Sequence, residues 1–149
     1  MRAQLTCAGI IAAAFASPCA QDAKPTRNVW DGVYSEAQAE RGKDQYLQSC
    51  AACHAKDLRG DNTAPSLVDE SFAFQWDDTS VGELFTRIKT LMPSDRPNSL
   101  SPQRYRDVVA YIRQANRFPA GDKDLDADVD ALTQILITAK RPQAAKPAP

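Results

Sequence analysis

The sequence is poor in several residue types that mark other classes of protein. Its 149 residues include one histidine, four cysteines and two methionines, and the formal net charge is −1. A nearly neutral chain lacks the basic field that attracts nucleic acid or an anionic membrane surface. No apolar run reaches the ~20 residues of a bilayer-spanning helix, so we expect no transmembrane segment in the mature chain. The overall composition, 43% apolar and 25% charged, is typical of a globular domain.

The first twenty residues have the pattern of a cleaved secretion signal. Arg2 supplies a positive start, residues 5–16 are a short apolar stretch, and polar residues follow from Gln21. An apolar stretch of this length is too short to cross a bilayer but suits a signal peptide. We therefore predict a signal peptide over residues 1–20 and export to the periplasm. A lipid anchor at Cys19 is disfavoured because Pro18 fits poorly before a lipidated cysteine.

The predicted cleavage leaves two cysteines, Cys50 and Cys53, in the sequence Cys-Ala-Ala-Cys-His that ends at His54. Cys-x-x-Cys-His is the attachment signature of a c-type haem. On one helical turn the two sulfurs project from the same face towards the two vinyl groups of a porphyrin. His54, four residues after Cys50, directs its imidazole towards the iron from that side. The sequence therefore predicts one covalently attached haem c with His54 as an iron ligand.

Three other interpretations of this motif were considered. Structural zinc needs four ligands, whereas the mature chain offers only Cys50, Cys53 and His54. A thioredoxin-type redox pair is expected beside a βαβ unit, and no such pattern is visible. Chance occurrence is the third interpretation, and it does not explain why the motif coincides with an export signal. The haem interpretation is favoured.

Elimination indicates the ligand on the other side of the iron. His54 is the only histidine, and Met92 is the only methionine that remains once Met1 leaves with the signal peptide. Pro93 follows Met92 and restricts the local chain. We predict that Met92 is the second axial ligand, with an open or weakly ligated iron as the alternative. A lone methionine is otherwise an adaptable core residue.

Hydrophobic periodicity and capping residues predict an all-α fold without β-strands. The predicted domain order is a signal peptide (1–20), an N-terminal arm (21–34), a core domain (35–118), a C-terminal extension helix (119–141) and a disordered tail (142–149). Core helices are expected over about 35–52, 80–92 and 101–116. Residues 55–79 are predicted to form a long loop that folds around the cofactor, because a loop of this length needs something to pack on.

Taken together, these features resemble a class I cytochrome c over residues 35–117. The resemblance rests on Gly42 and Tyr46 before the haem motif, on Ala-Pro-Ser-Leu at 64–67, on Met-Pro at 92–93 and on Val-Ala-Tyr-Ile at 109–112. It implies a cytochrome c-like fold in which the first and last core helices cross at Gly42. It also implies that the Pro65 carbonyl accepts a hydrogen bond from the ring N–H of His54, which places Pro65 among the cofactor-binding residues.

A narrower resemblance concerns Val-Trp-Asp-Gly-Val-Tyr at 29–34, residues 92–101 and residues 116–121, which are similar to small cytochromes that accompany quinoprotein dehydrogenases. It implies a PQQ-dependent dehydrogenase as electron donor, with a terminal oxidase or another cytochrome as acceptor. By analogy with relatives, Trp76 either binds a haem propionate or packs in the core, and the sequence leaves open whether Arg59 also contacts a propionate. Basic residues on both sides of Met92 either steer an acidic partner or are solvated: Arg87, Lys89, Arg96, Arg104 and Arg106.

The predicted function follows from the predicted ligands. An iron held by His54 and Met92 has no open position for substrate, so its chemistry is one-electron exchange. Four apolar residues are expected to bury the ring: Leu67, Phe85, Ile88 and Leu91. We therefore predict an electron carrier and not an enzyme. The alternative is a haem enzyme or a gas- or peroxide-binding protein in which Met92 is displaced.

Overall fold

The computed structural model describes residues 25–125 and 128–143, and this part of the chain is mostly helical. Its helices are α1 (Glu36–Ser49), α2 (Ala51–His54), α3 (Asp69–Trp76), α4 (Val81–Leu91), α5 (Pro102–Ala115) and α6 (Val129–Thr133). Two short strands, β1 (Arg27–Asn28) and β2 (Ile135–Leu136), form a parallel pair. The all-α class is confirmed, with this small sheet as its one addition among the described residues.

Three helices begin at the serines where the sequence predicts them. The Ser35 hydroxyl accepts a hydrogen bond from Gln38 N–H, and the Ser101 hydroxyl accepts one from Arg104 N–H. At the start of α4, Ser80 and Glu83 form a complete capping box, in which the Glu83 carboxylate accepts from Ser80 N–H at 2.7 Å. These side chains satisfy backbone groups that the first helical turn leaves free.

Helices α1 and α5 cross at Gly42, as the resemblance implied. A Cβ atom on Gly42 would lie 1.8 Å from the Asp107 carbonyl oxygen. The two backbones are therefore too close for any side chain at this position. Below the crossing, the rings of Tyr46 and Tyr111 are 5.4 Å apart. The crossing holds α1 against α5, and residues 50–54 follow directly after α1.

The prediction of an irregular loop over residues 55–79 is wrong in its second half, where α3 forms. Phe72 and Trp76, four residues apart, are buried on one side of this helix. Phe74 is almost completely exposed on the other side, which obscured the helical periodicity. The helix covers only Asp69–Trp76 and is flanked by turn residues that favoured a loop.

The predicted extension helix over residues 119–141 is also wrong, and so is the prediction of no β-strand. Among the described residues of this segment, 119–125 and 128–141, only α6 is helical, and the chain then extends as β2 beside β1. Leu132, Ile135 and Ile137 are buried in the core. The Ile137 N–H donates to the Thr79 carbonyl at 2.8 Å. This segment is extended because its backbone groups pair with β1 and with the residues before α4.

The N-terminal arm packs on the core through its aromatic residues. The Trp30 indole N–H donates to the Thr138 carbonyl at 3.1 Å, and the Trp30 ring meets Phe118 edge-on. The Tyr34 hydroxyl donates to the Phe118 carbonyl at 2.7 Å. The predicted signal peptide, the first residues of the arm and most of the predicted tail lie outside the described residues. Within residues 25–125 and 128–143, no helix combines the length and apolarity that a membrane crossing requires.

Candidate haem site

The Cys-Ala-Ala-Cys-His sequence forms one helical turn directly after α1. Cys50 ends α1 with its N–H bonded to the Tyr46 carbonyl at 2.8 Å. The N–H groups of Cys53 and His54 then donate to the Cys50 carbonyl at 3.1 and 3.0 Å. Because the turn is helical, Cys50, Cys53 and His54 lie on one side of the chain.

Both cysteines of this turn are free thiols. Cys50 is partly buried, whereas Cys53 is exposed. Burial raises the pKa of Cys50 to about 11, and the neighbouring Cys53 acts in the same direction. The same burial keeps the Cys50 sulfur largely away from water. That environment suits a sulfur next to a porphyrin edge better than a thiolate that binds zinc.

His54 is buried and has one ring nitrogen committed to a hydrogen bond. Its Nδ1 lies 2.9 Å from the Pro65 carbonyl oxygen. Since a carbonyl oxygen only accepts, Nδ1 carries the proton and Nε2 keeps the lone pair that binds a metal. A bond of this kind fixes both the tautomer and the orientation of a histidine ligand. The contact that the resemblance implied between His54 and Pro65 is present.

A tight loop holds the Pro65 carbonyl in place. Gly60 N–H donates to the His54 carbonyl at 2.9 Å, and Asp61 N–H donates to the Ala64 carbonyl at 3.0 Å. Gly60 has a positive φ of 68°, and a Cβ there would lie 2.3 Å from the Ala64 carbonyl oxygen. Hydrogen bonds from the Thr63 hydroxyl and N–H hold the pKa of Asp61 below its usual value. This loop joins the end of α2 to the residue that orients His54.

Tyr46 supports the other end of the turn, a role that the sequence analysis did not assign. Its buried hydroxyl donates to the Ala55 carbonyl at 2.6 Å and lies 3.2 Å from the His54 carbonyl. Both carbonyls lie where α2 ends and have no helical partner. The signal in the sequence was the spacing, because Tyr46, Cys50 and His54 are each four residues apart. Burial raises the pKa of Tyr46 and keeps its hydroxyl protonated.

Met92 lies on a different element, at the C-terminal end of α4. Its N–H donates to the Ile88 carbonyl at 2.9 Å. Its carbonyl accepts a hydrogen bond from the Tyr105 hydroxyl at 2.8 Å. Tyr105 is buried in α5, so this bond ties the end of α4 to α5. The sequence pattern alone gave no sign of this contact.

The residues that were expected near the cofactor have different surroundings in the fold. Arg59 forms an ion pair with Asp69 at 2.9 Å, and Trp76 is the buried last residue of α3. Among the residues expected to bury the ring, Phe85 is buried, but Leu91 remains 48% exposed. Arg106 is buried, with its guanidinium bonded to Gln103. Its place in a basic surface around Met92 was therefore wrong.

The residues present fit a haem c. Two free thiols and a histidine with an available Nε2 share one helical turn, which is the donor set that thioether attachment and axial ligation need. In the part of the chain that the structure describes, no three His, Cys, Asp or Glu side chains are grouped so as to hold a metal ion by themselves. The donor set therefore suits an iron that its porphyrin already coordinates.

Comparison with known proteins gives one family. The family model described as "Cytochrome C oxidase, cbb3-type, subunit III" matches residues 37–112, just over half of the chain. Among solved structures, the sulfane dehydrogenase SoxCD from Paracoccus pantotrophus is similar, with 18% sequence identity and a TM-score of 0.48. That match covers 72% of this chain and 61% of the SoxCD chain, so less than two thirds of the latter is spanned. None of the curated proteins compared with the chain matches it.

Proposed function

Because the chain belongs to the cytochrome c family described as cbb3-type cytochrome c oxidase subunit III, we propose that it is a periplasmic one-electron carrier. Membership of this family implies haem c and electron transfer. The finer proposal is a single haem, attached through thioethers to Cys50 and Cys53 and ligated by His54 and Met92. When bound, haem c supplies the one-electron couple between ferric and ferrous iron.

The observation that best supports this proposal is the 2.9 Å contact between His54 Nδ1 and the Pro65 carbonyl. It leaves Nε2 as the ligating nitrogen and fixes the orientation of the ring. The free thiols of Cys50 and Cys53 lie in the same turn. Since the histidine is oriented by backbone that the loop fixes, this contact would hold the ring in the orientation that ligation needs.

Met92 is proposed as the second ligand because its backbone is also held. The Tyr105 hydroxyl bonds its carbonyl, and Ile88 accepts from its N–H. A methionine ligand raises the potential of haem iron, because a soft thioether favours the ferrous state. With both axial positions filled, the iron has no site for a substrate, so we propose a carrier and not an enzyme.

The proposed partners and location extend this function. The Trp30-containing arm motif supports a PQQ-dependent dehydrogenase as donor, and the family description supports a terminal oxidase or another cytochrome as acceptor. Electron-transfer encounters of this kind use small interfaces, below ~1,200 Å². A periplasmic location is supported by the signal-like residues 1–20, since covalent haem attachment to exported cysteines needs that compartment.

Optical spectroscopy of Met92→Ala tests the ligand assignment. We expect the ferric wild-type protein to be low-spin, with the long-wavelength methionine band. The reduced wild-type protein should not bind CO. Met92→Ala should become CO-binding and should have a lower midpoint potential, because the thioether no longer favours ferrous iron. Ser94→Ala, at an exposed position two residues further along the chain, is the matched control and should keep both properties. If Met92→Ala kept the wild-type midpoint potential, the assignment of Met92 as an iron ligand would be refuted.

A further inference from the structure

Phe74 is far more exposed than any other large apolar side chain in the described residues. Its exposed fraction is 95%, whereas Leu91, Leu47 and Val129 reach 48%, 44% and 39%. Single exposed apolar residues are common on protein surfaces. A phenylalanine that projects wholly into solvent from an ordered helix is a stronger feature, because its ring contacts almost none of its own fold.

The helix that carries Phe74 is anchored on both sides of this residue. Phe72 and Trp76 are buried against the core. At its N-terminal end, Asp69 N–H donates to the Asn116 side chain at 3.1 Å. Just after its C-terminal end, the Asp77 carboxylate accepts from Ala139 N–H at 2.8 Å. Because α3 is held at both ends, a partner that covers Phe74 would have little conformational entropy to remove.

The chain segment that carries Phe74 is acidic. Residues 69–78 contain four carboxylates and neither lysine nor arginine. Asp69 is compensated by Arg59 at 2.9 Å. The other three, Glu70, Asp77 and Asp78, are exposed. A surface with an apolar centre and a negative rim is complementary to a basic surface, and it disfavours a second copy that presents the same charges.

We propose that the surface formed by Glu70 and Phe74 on α3 and by Asp77 and Asp78 just after it, here called the Phe74 surface, docks a basic redox partner protein. The Phe74 ring enters an apolar recess on that partner, and the three carboxylates face its lysines and arginines. Interfaces commonly depend on one such aromatic anchor surrounded by a polar rim. This inference rests on the proposed electron-carrier function and adds the surface through which one partner is recognised.

The test measures electron exchange between the haem-loaded protein and periplasmic and membrane fractions of the native organism. Phe74→Ser is expected to lower the second-order rate constant by about 10-fold or more with one fraction, because loss of an anchor residue weakens docking to this extent. Val129→Ser, at another exposed apolar position, is the control and should leave the rate unchanged. The rate should also fall with added salt for the wild type.

Charge reversal at the rim gives an independent variant. Glu70→Lys should lower the same rate at low salt and should lose this effect at high salt, because screening removes the charge contribution. A second copy of this chain is the competing partner, and sedimentation of the wild type tests for it. A dimer that dissociates in Phe74→Ser would mean that the Phe74 surface mediates self-association, which would overturn the proposal. Equal rates for wild type and Phe74→Ser, a rate that rises with salt, or no exchange with either fraction would also overturn it.

The outcomes separate this inference from the proposed function. Failure of the proposed function appears in the wild-type spectrum, as missing haem or missing methionine ligation, before any partner is added. Failure of docking leaves the spectrum and the midpoint potential of Phe74→Ser identical to those of the wild type while the rates do not differ. An unchanged spectrum together with a reduced rate for Phe74→Ser would support docking at the Phe74 surface.

Discussion

At the scale of single residues, backbone carbonyls decide where the important side chains lie. Pro65 orients His54, and Tyr46 and Tyr105 each donate a hydroxyl to a carbonyl of the segment that carries a proposed ligand. Such a bond is worth about 0.5–1.5 kcal/mol, but leaving a buried carbonyl without a partner costs about 1–3 kcal/mol. Removal of either tyrosine would take a donor away from one of these carbonyls, so each hydroxyl stabilises the segment that carries a proposed ligand.

Tyr34 provides a prediction about alkaline pH. Burial raises its pKa from 10.0 to about 12, so the folded protein keeps a proton that the unfolded chain releases between these values. The resulting stability is complete below pH 10 and is lost as the pH rises through about 12. The loss is at most about 3 kcal/mol, since one pKa unit corresponds to ~1.4 kcal/mol.

Urea unfolding of wild type and Tyr34→Phe across this pH range checks the prediction. At neutral pH the variant should be less stable by about 1–3 kcal/mol, because the Phe118 carbonyl loses its donor. The difference between the two proteins should shrink as the pH passes 10 and approaches 12. A difference that stays constant into the alkaline range would contradict the assignment.

At the scale of elements, the crossing of α1 and α5 is the contact that positions the haem turn. Its closeness depends on Gly42, where a Cβ would lie 1.8 Å from the Asp107 carbonyl oxygen and 3.0 Å from the Tyr111 Cβ. Any side chain here would push the helices apart. Because residues 50–54 follow α1 directly, such a shift would also displace His54 relative to α5.

Gly42→Ala is therefore expected to destabilise the fold. We expect the free energy of unfolding to fall by about 1–3 kcal/mol or more, although alanine in a helix is otherwise better than glycine by about 1 kcal/mol. Lys43→Ala, at the exposed neighbouring position, should change stability by no more than about 0.5 kcal/mol. Denaturant midpoints measure both, and a Gly42→Ala protein as stable as the wild type would show that the helices can separate freely.

At the scale of the whole molecule, the segment after α5 is part of the core and not an appendage. Leu132, Ile135 and Ile137 are at most 2% exposed. Thr133 contacts α4 at Gly82, where a Cβ would lie 2.5 Å from the threonine methyl group. The pairing of β2 with β1 links this segment to the N-terminal arm. The arm, α4 and the C-terminal segment therefore stabilise one another.

Ile137→Ala tests this arrangement. Truncation of a fully buried isoleucine costs about 2–5 kcal/mol, which includes the cavity left behind. The matched control is Val129→Ala in the same segment, where the side chain is 39% exposed and a much smaller loss is expected. Thermal unfolding followed by haem absorbance measures both. Equal stabilities would mean that the segment is dispensable to the core.

The sequence by itself determined the donor set, the class of fold and the starts of three helices, because each depends on residues close in the chain. Cys50, Cys53 and His54 share one turn, and the capping serines act within three residues. Only the tertiary structure decided α3, the β1–β2 pair and the burial of Arg106 and Arg113. These features depend on contacts between segments far apart in sequence, where packing overrides local propensity. The same packing buries two arginines of α5 that the local pattern alone would leave exposed.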